Sequence, residues 1–170
     1  TTANNNTAVG NGSLKVNTTG TANVAVGASA LDSNTTGQGN NAIGRNALGV
    51  NTTGSYNQAI GRECLDANTS GQMNVGVGHA CLSDNTTGDS NVAIGFDALN
   101  DNTTANNNTG VGHNALRSNT TGTENVVIGA YAADAGTNIS NTVAIGYNAL
   151  TNTTNNHNTA CGSKALEDTT

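Results

Sequence analysis

The stretch Asn91-Val92-Ala93-Ile94-Gly95-Phe96-Asp97-Ala98-Leu99-Asn100-Asp101-Asn102-Thr103-Thr104 is the most legible copy of a phrase that the chain rewrites along its whole length. Its glycine belongs to a column formed by Gly10, Gly27, Gly44, Gly61, Gly78, Gly95, Gly112, Gly129, Gly146 and Gly162. Every step is seventeen residues except the last, which is sixteen. A period this short and strict specifies a solenoid, in which each repeat buries its apolar side against the next. The expected architecture is therefore a single all-β unit over residues 1–170. It is a parallel β-solenoid of ten 17-residue rungs, with Gly over Gly and Leu over Leu.

Composition supports a thin core. Of the 170 residues, 34% are apolar and 2% aromatic, too few for an ordinary globular interior. Charged residues are 9%, which also separates the chain from the usual highly charged disordered protein. The net charge of −6 leaves no basic footprint for nucleic acid. No run approaches the apolar length of a membrane span, so no membrane insertion is expected. Thr1-Thr2-Ala3-Asn4-Asn5-Asn6-Thr7 nearly copies Thr103-Thr104-Ala105-Asn106-Asn107-Asn108-Thr109, and Thr169-Thr170 ends in the same phase. The expectation is a segment of a longer fibre, a chain cut between repeats, or a unit whose ends stack on other molecules.

Within a rung, the best strand leads into the glycine, as in Asn23-Val24-Ala25-Val26-Gly27. Side chains alternate across a strand, so one face carries Ile or Val while the other is kept to Ala or Gly. A small column down the ladder implies close approach of another backbone, from the same chain or a neighbouring subunit. Each rung is expected to bury its Ile or Val together with one Leu. The pair Ala98-Leu99 and its equivalents suit either a second short strand or a single helical turn. Asn-Thr-Thr-Gly, as at Asn85, makes the corner. The shortened rung loses its residue between Leu150 and Asn152. Burial of so few apolar groups does not offset the ordering of seventeen residues. Backbone ladders and stacked Asn and Thr must supply the rest, with Asn23, Asn40, Asn57, Asn74, Asn91, Asn108 and Asn125 placed to satisfy corner amides.

Asn-x-Ala-Ile-Gly followed by small and apolar residues resembles the head repeats of YadA-type trimeric adhesins. The longer form with Asn-Thr-Thr-Gly resembles repeats of virion fibre and tail-fibre proteins, notably of marine phages. The resemblance spans residues 1–170. It implies a left-handed β-roll or β-helix, often trimeric, serving as a stiff extracellular or virion-surface stalk. The adhesin-head repeats are shorter than seventeen residues, so an added corner or short helical turn remains open.

Candidate sites follow from the columns. The position after the glycine is the most variable, reading Arg45, Arg62, His79, Phe96, His113, Ala130 and Tyr147. Stacked at ~4.8 Å, it makes a cationic and aromatic stripe that could hold a cell-surface glycan, or a solvated column free to vary. Asn17, Asn34, Asn51, Asn85, Asn102, Asn119 and Asn152 begin Asn-Thr-Thr, and Asn68 begins Asn-Thr-Ser. These are N-glycosylation acceptors in form, and also what turn chemistry requires. Cys64 and Cys81 occupy one slot in adjacent rungs, at a spacing that allows a disulfide or two small buried thiols. Cys161 replaces Ile or Val and is expected to be a free buried thiol.

No catalytic, metal or cofactor constellation is legible; His79 and His113 stand two rungs apart and His157 lies in another phase. The functional expectation is a non-enzymatic structural fibre, located outside the cell, on its surface or on a virion. It partners with itself as a homotrimer or end-to-end polymer. The alternative is an adhesin or receptor-binding module. Third is an ice-binding protein, disfavoured because paired Thr such as Thr18-Thr19 would face oppositely in a strand.

Overall fold

The computed structural model describes residues 3–167. The phase-matched ends Thr1-Thr2 and Thr169-Thr170 lie outside the described residues. Every rung contributes one three-residue strand: β1 (Thr7–Val9), β2 (Val24–Val26), β3 (Asn41–Ile43), β4 (Gln58–Ile60), β5 (Val75–Val77), β6 (Val92–Ile94), β7 (Thr109–Val111), β8 (Val126–Ile128), β9 (Val143–Ile145) and β10 (Thr159–Cys161). They form one parallel ten-stranded sheet in chain order. Equivalent residues lie directly over one another, for example Ala25 on Ala42, Ala42 on Ala59 and Ala59 on Gly76. The expected β-solenoid is therefore present, with no helix among the described residues.

The Ala-Leu segment is neither a second strand nor a helical turn. Its leucines take left-handed backbone, as at Leu48 (φ +51°), Leu65 (φ +53°) and Leu99 (φ +51°). Two residues earlier, Asn46, Glu63 and Asp97 do the same. Left-handed steps on either side of the alanine reverse the chain tightly enough to bring it back across the strand. Such conformations are costly for a residue with a branched side chain. Burial and inter-rung bonds hold them, Leu48 donating its N–H to Cys64 O at 3.1 Å and Asn46 to Ala28 O at 3.0 Å.

That reversal decides which face of the strand is inside. From β2 to β10 the central residue, Ala or Gly except for Val127, points inward and is buried, whereas the residue before the glycine points out. Ile43, Ile60 and Ile94 are 41%, 43% and 40% exposed. The expectation that each rung buries an Ile or Val is corrected accordingly. The physical reason is width: the returning turn leaves space for Leu plus one methyl. At Gly110, an added Cβ would already stand 3.1 Å from Ala115 O and 3.3 Å from Leu99 Cδ1. The approaching backbone inferred from the small column is thus the chain's own turn.

The remaining interior is made of amides. Asn34 Nδ2 donates to Asn17 Oδ1 at 2.8 Å, and the same link recurs from Asn51, Asn68, Asn85 and Asn102 to the rung before. A second column begins at Asn6, with Asn23 N donating to Asn6 Oδ1 and Asn40 N to Asn23 Oδ1, each at 2.9 Å. The two columns meet on one acceptor per rung: Gly37 O receives Asn23 Nδ2 at 2.9 Å and Asn34 Nδ2 at 3.1 Å. Buried polar groups cost free energy unless paired, and here they pair with each other. The shortened rung departs from expectation too. Thr153, not Asn152, occupies the buried corner slot, so the missing residue is absorbed between Thr153 and Asn158.

Candidate functional site

The glycine column sets the geometry of the stripe beside it. Gly95 has φ +135°, and a Cβ there would overlap Gly112 O in the next rung. The backbone thus turns sharply out of the sheet and presents the following side chain at its edge. Successive rungs present successive rings. His79 and Phe96 stack with centroids 5.0 Å apart and planes 9° apart. Phe96 meets His113 edge-on at 5.4 Å.

Beyond His113 the ladder does not pass through the expected column, where Ala130 has no ring. Tyr131 fills the gap from the next position, 4.8 Å from His113 and 6.2 Å from Tyr147. Sequence reasoning missed Tyr131 because it looked down a single column. The signal was present in Ala130-Tyr131, where a small residue is followed by a ring one position late. The result is one continuous ladder of five rings: His79, Phe96, His113, Tyr131 and Tyr147.

At its other end the stripe is ionic. Arg45 and Arg62 both reach Glu63, the latter at 3.1 Å, and His79 Nε2 lies 3.8 Å from the same carboxylate. The hydrogen bond from Arg62 is the main reason the Glu63 carboxyl sits below its ordinary range. All six predicted stripe residues therefore share one edge, but Arg45 and Arg62 spend their charge on Glu63.

Two shallow grooves lie on the neighbouring turn face. One of about 250 Å³ opens where Gly49 lacks a side chain, between Asp32, Asn46 and Asp66. The other, about 330 Å³, is bounded by Tyr131, Asp134, Tyr147 and Asn148. Burial pushes the Asp66 and Asp134 carboxyls up. Among the described residues no group of three His, Cys, Asp or Glu is placed to hold a metal ion.

The corner asparagines are structural in this geometry. Asn34, Asn51, Asn68, Asn85, Asn102 and Asn119 are fully buried, and the Nδ2 that would carry a glycan is committed to the ladder. Asn17 is half-buried, and Asn152 is exposed outside the column. In the Thr-Thr pairs, the first hydroxyl donates across rungs, as from Thr52 to Thr69 O at 3.0 Å. The second, such as Thr53, is also exposed.

Cys64 and Cys81 are both buried thiols with Sγ atoms 2.9 Å apart. Cys161 is exposed, against expectation, because the position before the glycine points out of the roll. No described helix is long and apolar enough to cross a membrane. Compared with known proteins, the chain matches no family model, no curated sequence and no solved structure.

Proposed function

We propose that this chain is a non-enzymatic structural protein, a rigid rod from an extracellular or virion-surface fibre that associates with copies of itself along its sheet. The observation that carries the reading is the outward Ile and Val column on an otherwise polar molecule. Val24, Val75, Val92, Val126 and Val143 widen it two residues earlier, in alternation with Thr7, Asn41, Gln58, Thr109 and Thr159, so the apolar strip is broad in places and one residue wide elsewhere. Large exposed apolar strips on soluble proteins mark interaction surfaces.

Size favours a second copy over a small ligand. Ten strands stacked at ~4.8 Å and ~10 Å wide cover on the order of 430 Å². The exposed Phe96 and Tyr147, each two residues beyond an outward Ile, extend it toward the ~800 Å² per partner of a standard interface. A straight strip with one repeat pairs naturally with an identical strip, because both have the same period.

Light scattering and electron microscopy test this. The expected result is homo-oligomeric rods, with Ile60→Lys plus Ile94→Lys dissociating them while circular dichroism is unchanged. A wild-type chain that stays monomeric at high concentration overturns the reading. The ring ladder favours a second reading, a glycan-binding module. On that reading Phe96→Ala and Tyr131→Ala abolish binding on a glycan array, and unchanged binding removes it.

A further inference from the structure

The two buried cysteines are embedded in a local departure from the repeat. They follow β4 and β5 in a slot that elsewhere in the core is alanine, as at Ala47, Ala98 and Ala115. Opposite them, the centre of β5 is Gly76, where neighbouring strands have Ala59 and Ala93. A Cβ at Gly76 would overlap Cys64 Sγ and stand 3.1 Å from Cys81 Sγ. One methyl has been removed where two sulfurs have been added. The sulfurs do more than share the vacancy: they point at each other, 2.9 Å apart and fully buried. Strands in register at ~4.8 Å place the two backbones inside the Cα separation that a disulfide spans.

We propose that Cys64 and Cys81 form a disulfide between adjacent rungs, made during folding by exchange with a small-molecule disulfide of the glutathione class. One protein thiol loses its proton and attacks the oxidant, forming a mixed disulfide and releasing one small thiolate. The second protein thiol, also deprotonated, attacks the protein sulfur of that intermediate and expels the second small thiolate. Two protons leave the protein, and two electrons pass from its sulfurs to the oxidant. The exchange belongs to the open chain. In the closed rung neither sulfur is exposed, and the hydrogen bond with Cys81 and burial push the Cys64 thiol up. The same enclosure shields the finished bond from thiol reductants.

The test uses the full chain carrying Cys161→Ser, which removes the exposed competitor. It is unfolded, refolded with oxidised or with reduced glutathione, then denatured and alkylated. The expected oxidised product takes up no alkylating reagent and yields a peptide pair linked through Cys64 and Cys81. Its thermal midpoint lies roughly 5–10 °C above that of the reduced form. Two alkylated thiols in a chain refolded under oxidant to full circular dichroism overturn the proposal and leave the sulfurs as space-filling. Should refolding fail, the same chain secreted through an oxidising compartment gives the same readout. Cys81→Ala in that background must give one alkylated thiol.

Discussion

Ile139 occupies the corner space that asparagine fills in the seven preceding rungs, lying against Gly136 so closely that a Cβ there would stand 3.0 Å from Ile139 Cδ1. Two substitutions in one corner compensate each other: the Asn slot has become Gly, and the corner glycine has become Ile. The cost is visible one rung earlier. Asn119 Oδ1, whose equivalents accept an amide from the next rung, is buried without a partner.

This pairing makes a coupling prediction. Ile139→Ala leaves a cavity and should cost about 2–4 kcal/mol in denaturant unfolding. Gly136→Asn alone should also destabilise, since the new side chain meets Ile139. The double variant Gly136→Asn, Ile139→Gly restores the repeat and gives Asn119 a donor, so it should be more stable than the sum of the Gly136→Asn and Ile139→Gly effects by more than about 1 kcal/mol. Additive effects would show that the two residues are not coupled.

The amide ladder makes a second prediction. Asn68 donates to Asn51 Oδ1 and Gly71 O and accepts from Asn85, all inside the roll. Asn68→Ala strands several buried partners and should cost about 3 kcal/mol or more, given ~1–3 kcal/mol for each unsatisfied group. Thr53→Ala, on the exposed corner, should change stability by less than about 0.5 kcal/mol. Urea unfolding of both variants checks the contrast.

A third concerns the glycine column. Gly95→Ala forces an L residue to φ +135° and drives a methyl into Gly112 O. A loss of more than about 3 kcal/mol, or failure to fold, is expected. A well-folded Gly95→Ala protein would mean the rungs are not stacked in this register.

A fourth follows from charge. Burial raises the Asp66 carboxyl above its ordinary 3.8, and Glu63 and Asp84 add to the effect. The folded chain then holds this proton more tightly than the unfolded chain, so the group destabilises near neutrality. The penalty is relieved as pH falls through the raised folded value and is gone below the unfolded one. Asp66→Asn should therefore raise the thermal midpoint near pH 7 and leave it unchanged near pH 3. An equal gain at both values would assign the effect to something other than ionisation.

Much of this was readable from the repeat alone. Period, parallel stacking and the burial of Leu99 and Asn91 all follow from columns of like residues. The orientation of the strand did not follow. Alternation shows that Ala93 and Ile94 face opposite ways, but which is inside depends on how far Leu99 reaches across, and that is set by left-handed turns. Leu carries no sequence mark for that conformation, so Ala98-Leu99 read equally as strand or helix. Cys161 was misplaced for the same reason. Tyr131 escaped because it sits one position out of the ring column, and Thr153 because the corner slot it fills is marked elsewhere by Asn, which here stands one position early at Asn152.

The corner between Thr153 and Asn158 closes with one residue fewer, yet β9 and β10 remain in register. Rung height is thus dictated by the strand and the leucine turn, while the corner is slack. Foreign peptide spliced there would hang off the side of the rod as cargo, leaving the tiers above and below undisturbed.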